Sequence, residues 1–510
     1  MQFHCIANWI CHRTVVLTVA TLLLALAGAA GPARAEPALT DQQITDAIED
    51  ELAYDKAVPL NDIDIRTTNG IATLSGTVST ILAKERAAQL AETVKGVRSV
   101  VNTIDVKPYW GRMDWEIESD VDQALVSDPA TESWEIAAEV QNKTVYLSGT
   151  VDSWHERELA ERVAKGVRGV AAVENDLSIS YDEERTDAEI RAEVEHALRW
   201  DGLVDHSLIE VDVSAGEVEL SGQVGSAAEK RRAERDAWVY GTEMVAAEAL
   251  TVDPAVHDEA QREREYVVKS EEEVREAIKD ALVYDPRVYS FDVDVDVTGS
   301  AVTLRGRVDN MKAKRAAAQV ARRTWGVAAV TNRIRVRPAA VEDTEVARDI
   351  GNAIARDPYI ERYEIDVDVT NGTAKLSGTV DSYFEKARAE DIAVRTNGVS
   401  EVRNGLEVDY PESWIAYDPY VYDYYPYDYT WYDYAPYVTF RSDREIRQDI
   451  ENEFWWSPFV DGDDVTVTVE DGVATLTGEV DSWSERLDAT ENAFEGGAVW
   501  VDNNLMVESR

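Results

Sequence analysis

Apolar positions along the chain switch between two periods. Ile44, Ile48 and Leu52 recur at helical spacing, which predicts an amphipathic helix. Val293, Val295 and Val297 alternate with Asp292, Asp294 and Asp296, which predicts a strand with one buried and one solvated face. A further strand is marked by Leu74-Ser75-Gly76-Thr77-Val78, and the phrase returns five times, around Gly149, Gly222, Gly306, Gly378 and Gly478. Successive motif glycines lie 73, 73, 84, 72 and 100 residues apart. A fixed period means one structural unit repeated, and the two long intervals locate two linkers.

Each repeat reads alike. A polar start such as Thr40-Asp41 or Ser270-Glu271 caps a helix, which stops at Asp55, Asp128-Pro129, Asp201-Gly202, Asp285-Pro286, Asp357-Pro358 or Ser457-Pro458. Two strands follow, joined at Asn69-Gly70, Asn371-Gly372 or Asp471-Gly472, the signals of a two-residue hairpin that needs positive φ. The second repeat has Asn142-Lys143 there, so its turn is expected to be built differently. A second helix opens with Ser153/Glu156, Ser226/Glu229, Ser382/Glu385 or Ser482/Glu485, the pattern of a capping box. Its end is marked by Gly96, Gly169, Gly241, Gly326, Gly398 or Gly497, and a third strand follows, usually with an asparagine (Asn102, Asn175, Asn332, Asn404, Asn503). The prediction is an α+β fold of six tandem αββαβ units, each a three-stranded mixed sheet with two helices on one face. The motif glycines share the parity of the buried face, so a helix is expected to cross close above them.

The expected boundaries are 1–35 for a signal peptide, then units 1 to 3 at 40–108, 113–181 and 186–254. A charged linker at 255–269 precedes unit 4 at 270–338 and unit 5 at 343–410, and a Tyr/Asp-rich segment at 411–441 precedes unit 6 at 442–510. The signal reading rests on the apolar run Thr14–Ala30 and the small-x-small site ending at Ala35. The only cysteines, Cys5 and Cys11, lie in that leader, so no disulfide or thiolate zinc site is expected in the mature chain. No later apolar run approaches the ~20 residues of a membrane-spanning helix.

Charge narrows the partners. With 51 basic and 99 acidic residues the chain carries a formal charge of -48. That excludes a nucleic-acid binder, whose affinity rests on cations set against phosphates.

The Leu-Ser-Gly-x-Val strand, the glycine about twenty residues later and the Val-x-Asn strand behind it together resemble the BON-domain family. The resemblance covers six segments and nearly all of the mature chain. It implies a periplasmic protein, in some settings peripheral to the outer membrane. It further implies a non-enzymatic role in which phospholipid surfaces are contacted or the envelope is supported under osmotic stress.

Two stretches stand out as candidate sites. From Leu304 to Pro338 the only acid is Asp309, among ten basic residues. Arg305, Arg307, Arg333, Arg335 and Arg337 share the solvent face with Asp292, Asp294 and Asp296, where cross-strand pairing would use up much of the charge. The remaining helix group, Lys312, Lys314, Arg315, Arg322 and Arg323, is the candidate anion or lipid-binding patch. The second stretch, Trp414–Phe440, holds ten of the 22 tyrosines in a five-residue period, with Tyr417, Tyr422, Tyr427, Tyr432 and Tyr437, plus Trp431. It reads as an aromatic binding strip, or as a linker whose rings pack onto units 5 and 6.

No metal, cofactor or catalytic site is expected. The histidines are scattered, alternate strand aspartates diverge from any common centre, and no nucleophile elbow or phosphate loop is present. The expected function is an exported, multivalent binding or scaffold protein at the cell envelope, facing phospholipid or an envelope protein or glycan. A soluble periplasmic protectant against osmotic stress stays open, as does a hydrolase of unrecognised type.

Overall fold

The computed structural model describes residues 39–408 and 442–507 apart from short breaks, the longest at 129–135 and 257–269. The leader, the charged linker apart from Val256, and the Tyr/Asp-rich segment lie outside the described residues. All six units share one topology. In unit 4 the helix Glu271–Val283 leads to Val293–Thr298, which pairs antiparallel with Ala301–Val308. The helix Met311–Arg323 then crosses over, and Ala329–Val336 returns parallel to the central strand. A parallel return requires such a crossover. Its helix lands beside the first one, so both cover the same sheet face. The core of unit 4 accordingly joins Val274, Ile278 and Leu282 to Val302, Leu304 and Ile334, with Ala313 and Ala317 from the second helix. Among the described residues no helix is long and apolar enough to cross a membrane.

The motif glycine serves a different end from the one expected. Gly76, Gly222, Gly306 and Gly478 have φ between +117° and +142°. A Cβ on Gly306 would lie 1.8 Å from the carbonyl oxygen of Asp292, and one on Gly76 would lie 2.1 Å from that of Asp62. The obstacle is the backbone entering the hairpin, not a helix overhead. The phrase is therefore a close backbone approach that also needs a left-handed φ, and only glycine meets both demands.

The second unit's turn is likewise not built differently. Asn142 and Lys143 take φ values of 51° and 65°, matching 52° and 73° at Asn69-Gly70. The same turn forms with a side chain in the left-handed region. A feature unread in the sequence holds it: the aspartate opening the first helix accepts from both turn amides. Asp114 does so with Asn142 and Lys143 at 2.7 and 3.0 Å, and Asp41 with Asn69 and Gly70 at 2.8 and 2.9 Å. These backbone donors, Gly70 foremost, hold the Asp41 carboxyl below its ordinary range.

The third-strand asparagines are ties to the second helix. Asn332 Nδ2 donates to the Lys314 carbonyl at 2.7 Å, and its Oδ1 accepts from the Ile334 amide at 3.1 Å. Asn102, Asn175, Asn404 and Asn503 repeat the arrangement. Unit 3 has no such asparagine, and there the strand register slips between Ala246 and Ala249. The expected capping boxes form with one change. Ser153, Ser226 and Ser482 accept from the amides of Glu156, Glu229 and Glu485. The glutamates reach one residue further back, to the amides of Asp152, Gly225 and Asp481.

Candidate functional site

The surface that remains for function depends on how the units meet, and the described residues from Asp41 onward form one compact body. A single lock recurs three times. The amide just before the glycine that ends a second helix donates to the last carbonyl of another unit's first helix. Lys95 donates to Trp456 at 3.0 Å, Arg168 to Arg356 at 2.7 Å, and Trp325 to Trp200 at 3.0 Å. Unit 1 thereby meets unit 6, unit 2 meets unit 5, and unit 4 meets unit 3. Side chains reinforce these seams. The Arg168 guanidinium also donates to the carbonyls of Asp357 and Ile360. Trp154 of unit 2 stacks on Trp238 of unit 3 at 5.2 Å.

Charges at these helix ends are buried in pairs. Asp55–Arg86, Asp201–Arg232 and Asp357–Arg388 lie at 2.7, 2.7 and 2.6 Å in units 1, 3 and 5. Burial works to raise the Asp201 carboxyl, but Arg232 and the Leu203 amide hold it below its ordinary range. The arginine stands 31 residues after its aspartate each time, whereas units 2, 4 and 6 have Leu159, Ala316 and Asp488 at that place. In unit 2 the counter-charge comes from elsewhere. Lys312 of unit 4 reaches Asp128 at 2.5 Å, with side-chain exposures of 0% and 5%.

That contact corrects the candidate anion patch. Lys312 is fully buried, and Lys314, Arg315, Arg322 and Arg323 are only half-buried, none of them an exposed surface charge. Arg315 pairs with Glu390 of unit 5 at 2.5 Å. The alanine-rich helix that carries these residues packs against the second helices of units 5 and 6. Its basic residues serve the seams. The strand arginines behave as expected of a solvent face. Arg305, Arg307, Arg333, Arg335 and Arg337 are exposed, and Arg305 pairs with Asp296 at 3.0 Å. Trp414, Tyr417, Tyr422, Tyr427, Trp431, Tyr432 and Tyr437 lie outside the described residues.

Two features escaped sequence reasoning because each is assembled from distant units. A cavity of about 870 Å³ opens between units 2, 3 and 4, lined by Trp200, Trp238, His155, Arg162, Arg287 and Asp236 among others. Burial lowers the His155 pKa, while burial and the neighbouring Asp201 charge push Asp236 up to about 8. Where units 1 and 6 meet, carboxylate oxygens of Glu51, Glu453 and Glu495 lie within 4.8 Å of one another. Among the described residues this trio is the arrangement that could hold a cation. Burial, then the charges of Glu495 and Glu453, push the Glu51 carboxyl well up.

The arrangement defines a class: a tandem array of small α+β modules docked through their helices. The BON domain model matches residues 40–108, 114–181, 186–254, 270–338, 342–410 and 442–508, and the chain belongs to the BON domain family. Osmotically-inducible protein Y of Escherichia coli (strain K12) is 33% identical over 147 residues, 27% of this chain and 72% of that protein. Among solved structures, CdsD, a structural protein of the Type III secretion system of Chlamydia trachomatis, aligns at 15% identity. It covers 44% of this chain and 99% of its own, with a TM-score of 0.12. The C-terminal domain of CdsD aligns at 14% identity over 42% and 100% of the two chains, also with a TM-score of 0.12.

Proposed function

We propose that this protein is an exported, non-enzymatic scaffold of the cell envelope, working in the periplasm. Its outer sheet faces contact a phospholipid surface or an envelope protein or glycan. The observation that carries the reading is the inward use of the helices. The seams between units consume helix ends and their charges, and the solvated sheet faces are left as contact surfaces. Several modest contacts on one chain add up to useful avidity. The similarity to an osmotically inducible protein adds the setting, osmotic stress.

The test is co-sedimentation of the mature chain with phosphatidylglycerol vesicles, phosphatidylcholine vesicles and isolated peptidoglycan, with growth of a deletion strain after osmotic upshift in parallel. Retention by one of the three supports the scaffold. Retention by none, with a growth defect, favours the second reading, a soluble protectant, for which the charge of -48 is the supporting observation. Clearance of a defined substrate by the purified chain would overturn both.

A further inference from the structure

On the outer face of the unit 4 sheet the chain reverses its prevailing charge. Arg305 and Arg307 on the central strand stand in register with Arg333 and Arg335 on the third, and Arg337 extends the second row. Neighbouring strands lie ~4.8 Å apart and alternate residues ~6.7 Å apart, so the five side chains rise from a base roughly 5 by 14 Å. Like charges set across a strand pair destabilise a sheet, a cost relieved when something of opposite sign lies on the face. Asp292, Asp294 and Asp296 flank one side, and Asp296 takes Arg305. Among the described residues no ion pair reaches Arg307, Arg333, Arg335 or Arg337. At the equivalent positions of the other five units Lys107 is the only cation.

All five cations are arginine. A guanidinium binds carboxylate through two parallel hydrogen bonds and stacks on aromatic rings, and an ammonium matches neither geometry. The face therefore fits a ligand that offers carboxylates and rings together. Residues 411–440 offer both. They contain no lysine or arginine, and they carry ten tyrosines with Glu412, Asp418, Asp423, Asp428 and Asp433. The chain leaves unit 5 at Val408 and enters unit 6 at Ser442. The intervening residues can span about 100 Å, more than the diameter of about 60 Å expected of a compact body this size. A tethered ligand also acts at millimolar effective concentration, whereas a second copy or an anionic membrane meets the long-range repulsion of the whole molecule.

We propose that the arginine face of unit 4 is a docking surface for an acidic, tyrosine-bearing peptide, and that residues 411–440 of this chain occupy it. The inference is independent of the scaffold reading. Chymotrypsin cleavage of the full mature chain, followed site by site by mass spectrometry, tests it. Arg333→Glu/Arg335→Glu is expected to raise the cutting rate within 411–440 by ~10-fold or more, the scale on which a lost tethered contact is felt. Cuts elsewhere should keep their rates. Asp418→Asn/Asp423→Asn/Asp428→Asn/Asp433→Asn should do the same without touching the folded body, and 0.5 M NaCl should do so in the unmodified chain. A synthetic peptide of residues 411–440 should bind a chain lacking them, and lose that binding on Arg333→Glu/Arg335→Glu. Unchanged cutting rates in both variants overturn the proposal, as does peptide binding that ignores the arginines. So does loss of phosphatidylglycerol-vesicle binding in Arg333→Glu/Arg335→Glu with cutting unaltered, which would make the face a head-group site.

Discussion

Removing the Asp128 carboxylate tests whether the six units dock as described. Lys312 of unit 4 and Asp128 of unit 2 sit 2.5 Å apart, the lysine side chain wholly enclosed and the aspartate 5% exposed. Both charges have left water, so the pair's attraction is largely spent against desolvation. Asp128→Asn takes the carboxylate away from an enclosed ammonium group, which costs about 3–5 kcal/mol. Lys312→Met in the same chain removes the stranded charge and refills the volume, and such apolar replacement is neutral or stabilising by up to about 4 kcal/mol. The single substitution should thus lower the urea midpoint sharply and the double one should restore it. Because the pair joins two units, the single variant should also separate the melting of units 2 and 4 from the rest. Circular dichroism and calorimetry of the mature chain read both effects. An Asp128→Asn cost below about 1 kcal/mol, the range of solvent-exposed pairs, would refute the reasoning and mean that unit 4 is not seated on unit 2 in solution.

Gly306→Ala should cost on the order of 3 kcal/mol or more, because the methyl group meets the Asp292 carbonyl at 1.8 Å on a left-handed backbone; a chemical-denaturation series reads it. Lys143→Gly should stabilise unit 2 by ~1 kcal/mol by relieving the left-handed side chain, seen as slower hydrogen exchange in the hairpin Ile136–Val151. Stability should fall as pH rises from about 4 to 8. Burial raises Glu485 to about 7 despite the Asp461 and Asp481 amides, and burial with Asp201 raises Asp236 to about 8. The folded state therefore holds protons that the unfolded chain releases near pH 4. Melting at pH 5.5 should accordingly exceed that at pH 8.5. Glu485→Gln should remove the part of the slope between about 4.5 and 7, at most about 3 kcal/mol. Below pH 4 the trend should reverse, as Asp285, held below its ordinary range by Arg287 against burial, takes up its proton.

Most of the single unit was legible because its rules are local. Alternation in Val293–Val297 reported one buried face, and proline after Asp128, Asp357 or Ser457 reported helix ends. Parity placed Gly306 on the inner face correctly, but parity says nothing about which atoms lie above, and these are the backbone of the hairpin's own entry. Lys143 was misleading because residue type predicts the cheap turn, while Asp114, 28 residues before Asn142 at the turn's start, enforces the costly one. Its recurrence as Asp41, Asp187, Asp343 and Asp443 at the same spacing was a signal that could have been used. Lys312 shows where legibility ended. A lysine among arginines reads as surface when one unit is considered alone, and its partner lies in a unit whose docking no periodicity encodes. The carboxylate trio at Glu51, Glu453 and Glu495 was hidden for the same reason.

The alternation of the terminal pairs has a consequence for how this chain can be cut or lengthened. Units 1, 3 and 5 each bring an aspartate and the arginine that answers it. Unit 2 brings the aspartate alone and borrows its answer from unit 4. Excised by itself, an odd-numbered unit is electrically self-sufficient at that end, while unit 2 is left with a debt. Unit 4 answers its own Asp285 with Arg287 and also lends Lys312 to unit 2, so a truncation that keeps unit 2 but ends before unit 4 should lose solubility, where one that keeps units 2 to 4 together should not.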